Sequence, residues 1–186
     1  MNVYDFDKTI YDGDSSIDFY LFNLKKSWNI AFLMPIQLMY GLLYKLRLID
    51  KTAMKQVFYA YFRYIPNMDR RLDEFWEING GKIKKFYLEM HQDDDVIISA
   101  SPEFMLEGIC KTLNVHLIGS QVDPKTGKYT GKNCFGAEKV LRFTKLFPDT
   151  SIDTFFSDSL SDDPLAKRAK KAVFVEGEKL KEWPKI

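Results

Sequence analysis

The chain has 186 residues, 46% of them hydrophobic, which is enough to bury a core in one or two domains. Its 27 basic and 26 acidic side chains leave a formal net charge of +1, so the charge balance gives no reason to expect a nucleic-acid partner. Two cysteines, Cys110 and Cys134, are too few for a disulfide framework and lie in no metal-binding spacing.

The first predicted element is a strand over residues 2–6, running into Asp5-Phe6-Asp7-Lys8-Thr9. Side chains alternate along a strand, so Asp5 and Asp7 point to one side and their carboxylates can converge beyond the sheet edge. Two such groups repel unless a hard cation sits between them, and Mg²⁺ with its oxygen ligands suits that place. One carboxylate could then act as a nucleophile and the other as a proton donor. The competing reading is an Asx-rich turn closing an edge strand. Because the strand starts next to Met1, no secretory signal is expected and the cytoplasm is the default location.

Between Asp14 and about His91 no strand pattern occurs; long helical patterns break near Pro35, Asp50, Pro66 and Gly80-Gly81. From Ile30 to Tyr44 only Gln37 is clearly polar, while Lys25, Lys26, Lys45 and Arg47 flank the stretch. It is shorter than the roughly 20 residues a membrane-spanning helix needs, and Pro35 and Gly41 interrupt it. The expectation is a buried helix pair, packed within this region or against a second subunit in a homodimer. The alternative is that residues 28–49 meet a lipid-like substrate or a membrane surface.

Asp95-Val96-Ile97-Ile98-Ser99 reads as a buried strand, and a helix is expected over residues 102–113, with Ser101 as its cap and Pro102 in its first turn. A helix N-terminus behind a serine favours anions. Cys110, in an apolar set with Leu106, Ile109 and Leu113, reads as a core thiol. A strand near 115–119 takes in His116, which, like His91, reads as structural; a hairpin-like excursion over 121–134 carries turn chemistry at Asp123-Pro124-Lys125-Thr126-Gly127. A helix over 136–147 places Lys139 in its first turn, and a strand over 153–157 ends in the acidic loop Ser157-Asp158-Ser159-Leu160-Ser161-Asp162-Asp163. A helix over 162–170, with Asp163 as its cap and Lys167-Arg168 and Lys170-Lys171 on its exposed face, and a strand over 172–175 complete the pattern.

This ordered set, each piece at a strand end or helix start, resembles the haloacid dehalogenase superfamily of phosphohydrolases. Asp5-Phe6-Asp7-Lys8-Thr9 is similar to its first motif, Ser99 to its second, Lys139 to its third, and Asp158 with Asp162 to its fourth. Asp12-Gly13-Asp14-Ser15-Ser16, Ser99-Ala100-Ser101-Pro102-Glu103 and Gly136-Ala137-Glu138-Lys139-Val140 resemble the phosphoserine-phosphatase-like branch. The resemblance implies an α/β fold, with a Rossmann-like parallel sheet core formed by residues 1–13 and 92–186 and an inserted α-helical cap over 14–91. It also implies a Mg²⁺-dependent phosphomonoesterase. Asp5 would be the nucleophile and Asp7 the acid and base. Ser99 and Lys139, with Phe6 and Ala100, would bind phosphate. Asp5, Asp7, Asp158 and Asp162 would hold Mg²⁺. Lys8 reads as solvated.

Substrate divides the expectations. A small phosphorylated metabolite such as phosphoserine would use Asp14 for an amine, although Asp14 could equally cap a helix, and Arg63 for a carboxylate. A lipid phosphate such as phosphatidylglycerophosphate would suit the apolar cap. A third reading, a binding module without catalysis, has no need of both Asp5 and Asp7.

Overall fold

The computed structural model describes residues 1–185. Six strands form one sheet in the order β3-β2-β1-β4-β5-β6: β1 (Val3–Tyr4), β2 (Val96–Pro102), β3 (His116–Ser120), β4 (Ile152–Ser157), β5 (Ala169–Glu176) and β6 (Lys179–Glu182). All neighbours run parallel except β5 and β6. Strand order therefore reverses at β1, which lies between β2 and β4, and in doubly wound sheets such a switch opens a crevice at the carboxyl ends of the strands.

Alternation sorts the strand side chains. Tyr4, Ile97, Phe156, Val173 and Val175 pack with Leu106 and Ile109 in one cluster. Val3, Val96, Ile98 and Phe155 pack with Phe143 and Leu165 in another. Apolar residues on both sides explain why the inner strands read as continuous hydrophobic runs.

Between β1 and β2 the chain forms α1 (Ser15–Lys26), a 3₁₀ turn (Trp28–Leu33), α2 (Met34–Lys45), α3 (Lys51–Phe58), a second 3₁₀ turn (Tyr59–Tyr64), α4 (Met68–Asn79) and α5 (Lys85–Met90). A separate cluster of Phe19, Tyr59, Tyr61, Phe62, Phe75 and Met105 holds α1, the second 3₁₀ turn and α4 together, whereas α5 packs on the sheet through Phe86 and Tyr87. Of the 30–44 stretch Ile30 is buried, but α2 has no buried residue, so the expected burial of this stretch within the chain is not found beyond the first turn. A glutamine accounts for the orientation of this helix. Gln37 faces inward, accepting from Tyr20 Oη at 2.8 Å and donating to the Phe58 carbonyl at 3.0 Å, which turns the apolar residues out. Among the described residues no helix is long and apolar enough to cross a membrane.

The remaining helices are α6 (Glu103–Thr112), α7 (Ala137–Leu146) and the short α8 (Asp163–Ala166). Ser101 does not cap α6: it belongs to β2, and Pro102 occupies the cap position without a side-chain bond. The helix expected over 162–170 stops at Ala166, because Ala169–Glu176 pairs with β4 and buries Val173 and Val175. Lys170 and Lys171 therefore lie in a strand. Asp163 opens α8 instead of capping it, and its carboxylate accepts from Trp183 Nε1 at 3.3 Å. No strand is expected from the sequence at β6; all four of its residues are exposed on the sheet edge. The 121–134 excursion closes through a Val122–Tyr129 bridge, and Gly127, at φ +73°, lies against the backbone of Tyr59.

Candidate active site

The crevice predicted by the strand order contains the charged residues. A cavity of about 190 Å³ is lined by Asp5, Asp7, Asp14, Ser99, Lys139, Asp158 and Asp162, with Lys8, Lys51 and Lys55 among the others. Asp5 and Asp7 follow β1, Ser99 lies in β2, Asp158 follows β4, and Lys139 stands in the first turn of α7. A larger cleft, of about 590 Å³, lies elsewhere beside Trp76, Ile83 and Ile109, away from these groups.

Lys139 organises the centre. It is 1% exposed, and its Nζ donates to Asp5 Oδ1 and to Asp162 Oδ2, each at 2.7 Å. Burial alone would lower its pKa, but the two carboxylates hold it above the ordinary lysine range. Ser157 Oγ also donates to Asp162 Oδ2, at 2.8 Å. Burial pushes the Asp5 carboxyl up to about 7 against the pull of Lys139, with Asp162 and Asp7 adding to the rise.

Asp7 is fixed from a different side. The Ser15 amide donates to Oδ1 at 2.6 Å and the Ser101 hydroxyl to Oδ2 at 2.5 Å. Burial, followed by the charge of Asp14, raises its pKa, and these serine bonds oppose the rise. Ser101, expected as a cap, thus orients the second aspartate. Ser16 and Tyr59 extend the chain of hydroxyls: Ser16 Oγ lies 3.2 Å from Ser101 Oγ and 3.0 Å from Tyr59 Oη.

The first and fourth motifs are tied by Thr9, whose Oγ1 accepts from the Asp158 amide at 2.9 Å and donates to Asp158 Oδ1 at 3.4 Å. Burial raises the Asp158 pKa while Lys8 pulls it down. Lys8 is exposed, as expected, at φ +59°. Ser99 Oγ accepts from the Ser101 amide at 3.1 Å. The Phe6 ring is buried against Tyr11 and Trp76, so only its backbone could reach the site.

The donor chemistry suits a hard cation. Asp5, Asp158 and Asp162 offer carboxylate oxygens to one cavity, and Asp162 Oδ1 is buried without a hydrogen-bond partner. Among the described residues the acids do not form a closed three-carboxylate cluster, since Lys139 stands between Asp5 and Asp162.

Of the two expected substrate contacts, one lines the cavity and the other does not. Asp14 lines the cavity, but its Oδ1 accepts from the Ile17 amide at 3.1 Å as the cap of α1. Arg63 is exposed and is not among the lining residues. In its place, α3 presents Lys51 and Lys55, which belong to none of the sequence motifs. Asp50 caps this helix by accepting from the Ala53 amide at 2.7 Å. Residues four apart share a helix face, so both lysines reach the cavity. Lys55 Nζ donates to the Ala100 carbonyl at 2.9 Å, and Lys51 Nζ lies 4.0 Å from the centre of the Phe135 ring. Burial, with Lys55 nearby, lowers the Lys51 pKa. Their spacing was a detectable signal, although i,i+4 lysines read equally well as a solvated face.

Strand order and strand-end carboxylates define a doubly wound α/β protein with its polar site at the switch point. The sequence model of the haloacid dehalogenase-like hydrolases matches residues 3–167, and the chain belongs to that family of enzymes. No curated protein matches it in sequence. Among solved structures, a protein of unknown function from Bordetella pertussis Tohama I has a TM-score of 0.74 at 17% identity, covering 92% of this chain and 87% of that one. A phosphoserine phosphohydrolase-like protein from Francisella tularensis has a TM-score of 0.58 at 18% identity, covering 92% and 86%. A HAD family hydrolase from Salmonella enterica serovar Typhi has a TM-score of 0.57 at 14% identity, covering 90% of this chain and 59% of that one. These likenesses are of fold.

Proposed function

We propose that this protein is a Mg²⁺-dependent phosphomonoester hydrolase working through an aspartyl-phosphate on Asp5. The observation that carries this reading is the pairing of Asp5 with a buried ammonium at 2.7 Å, beside a second carboxylate held at both oxygens. Asp5 attacks phosphorus as Asp7 gives its proton to the departing alkoxide and the bond from phosphorus to that oxygen breaks. Asp7 then takes a proton from water, whose oxygen attacks phosphorus and releases Asp5 and inorganic phosphate. The pKa rise of Asp7 suits a group that must start protonated. Lys139 and the Ser99 hydroxyl bind the phosphoryl oxygens and offset their charge before a carboxylate anion approaches. Asp5, Asp158 and Asp162, with the Asp7 backbone carbonyl, would hold Mg²⁺, which supplies further charge neutralisation when bound.

Lys51 and Lys55 favour a substrate with a second anionic group beside the phosphomonoester. A carboxylate, as in phosphoserine, or a phosphodiester, as in phosphatidylglycerophosphate, meets that requirement. Acid-quenching the enzyme during turnover and mapping the modified peptide by mass spectrometry tests the mechanism. A phosphoryl group on Asp5 is expected; turnover with no adduct on Asp5 and undiminished activity in Asp5→Asn would remove it from the nucleophile's role.

A further inference from the structure

The 3₁₀ turn at Trp28–Leu33, α2 and the loop after it present an apolar surface that the rest of the chain leaves uncovered. Trp28 is 75% exposed, Phe32 71%, Leu38 69% and Leu48 68%, and Leu42 and Leu46 are also exposed. The Trp28 and Phe32 rings contact each other edge to face, with centroids 5.2 Å apart. This is a continuous run of chain with Gln37 turned inward, whereas ordinary surface leucines are scattered singly.

Charge identifies the occupant. Residues 25–48 contain four basic side chains, Lys25, Lys26, Lys45 and Arg47, and no acidic one. They lie at both ends of the apolar run. Lys26 pairs with Glu74, but Lys25, Lys45 and Arg47 have no carboxylate within salt-bridge distance among the described residues. An apolar face carrying an exposed tryptophan between basic flanks matches the boundary of an anionic bilayer, where rings enter the headgroup region and cations meet lipid phosphates. A second copy fits less well. In a two-fold interface the patch meets itself, and basic ends would face basic ends.

We propose that residues 25–48 dock the protein peripherally on an anionic membrane surface, with Trp28, Phe32 and Leu38 inserted and Lys25, Lys45 and Arg47 at the lipid phosphates. This goes beyond the phosphatase reading and does not rest on it. The surface uses none of the residues assigned to the cavity.

The test is flotation of the full-length protein with vesicles of phosphatidylcholine alone or mixed with phosphatidylglycerol, at low and high salt. Binding to the mixed vesicles is expected, weakened by salt, with a blue shift in tryptophan emission that Trp28→Phe abolishes. The triple variant W28S/F32S/L38S should lose tenfold or more of this binding, and so should K45E/R47E, while both keep the wild-type circular dichroism spectrum and wild-type hydrolysis of a soluble aryl phosphate. Failure of the wild type to bind either vesicle would overturn the proposal, as would unchanged binding by both variants. A stable dimer dispersed by W28S/F32S/L38S, in a protein that ignores lipid, would make a second copy the occupant instead.

Discussion

Replacing Asp5 by Asn should abolish turnover and make the metal-free protein more stable at alkaline pH. Burial, against the pull of Lys139, raises the Asp5 carboxyl to about 7 from its ordinary 3.8. Between those values the folded state binds more protons than the unfolded chain, so stability falls as pH rises through the window and the full penalty is present above about 7. A rise of about 3 units corresponds to a ceiling of about 4 kcal/mol. Asn keeps an oxygen for Lys139, whose attraction is already contained in the net rise, so only imperfect replacement of the carboxyl's hydrogen bonds offsets part of the gain. We expect a net gain of roughly 1–3 kcal/mol at pH 8, or roughly 3–10 °C in Tm for a chain of this length, and almost none at pH 4. Thermal unfolding of both proteins in a chelator, at several pH values from 4 to 8, measures it. An Asp5→Asn protein less stable than wild type at pH 8, or a difference that does not grow with pH, would refute the electrostatic account of the site.

Asp7→Asn should retain the fold and lower kcat by about 10²–10⁴-fold, the range for a positioned acid or base; stopped-flow release of an aryl alcohol would report it. The double variant K51A/K55A should raise KM for a substrate bearing a second anionic group while leaving KM for a simple aryl phosphate nearly unchanged. Equal effects on both substrates would assign the lysines to the reacting phosphoryl group. Gly127→Ala should destabilise the protein by at least about 1–3 kcal/mol in denaturant titrations, because its Cβ would lie 2.1 Å from the Tyr59 carbonyl oxygen at a φ of +73°.

Strand ends were legible because alternation and short apolar runs fix where a strand stops. Asp5, Ser99 and Asp158 could therefore be placed at the same sheet edge without coordinates. The edge of the sheet was less legible. Lys179-Leu180-Lys181-Glu182 has too few apolar residues to announce a strand, and it pairs only because β5 offers it a partner. Lys170 and Lys171 gave a helical impression that pairing with β4 overrides. Ser101 before a proline looked like a cap, yet its hydroxyl is committed to Asp7, a contact 94 positions away in sequence. The apolar character of α2 was evident from sequence, but not that the chain leaves it uncovered. Gln37 faces Tyr20 and Phe58, and that single pair of hydrogen bonds decides which side of the helix is exposed.

The most direct test of the central claim is phosphate release by wild type and Asp5→Asn, with and without Mg²⁺. The panel spans phosphoserine, sugar and nucleotide phosphates, an aryl phosphate, and phosphatidylglycerophosphate in micelles. The account predicts release by wild type that requires Mg²⁺ and is absent in Asp5→Asn, with preference for a member carrying a second anion. Release from no member under any condition, or equal release by the two proteins, would contradict it.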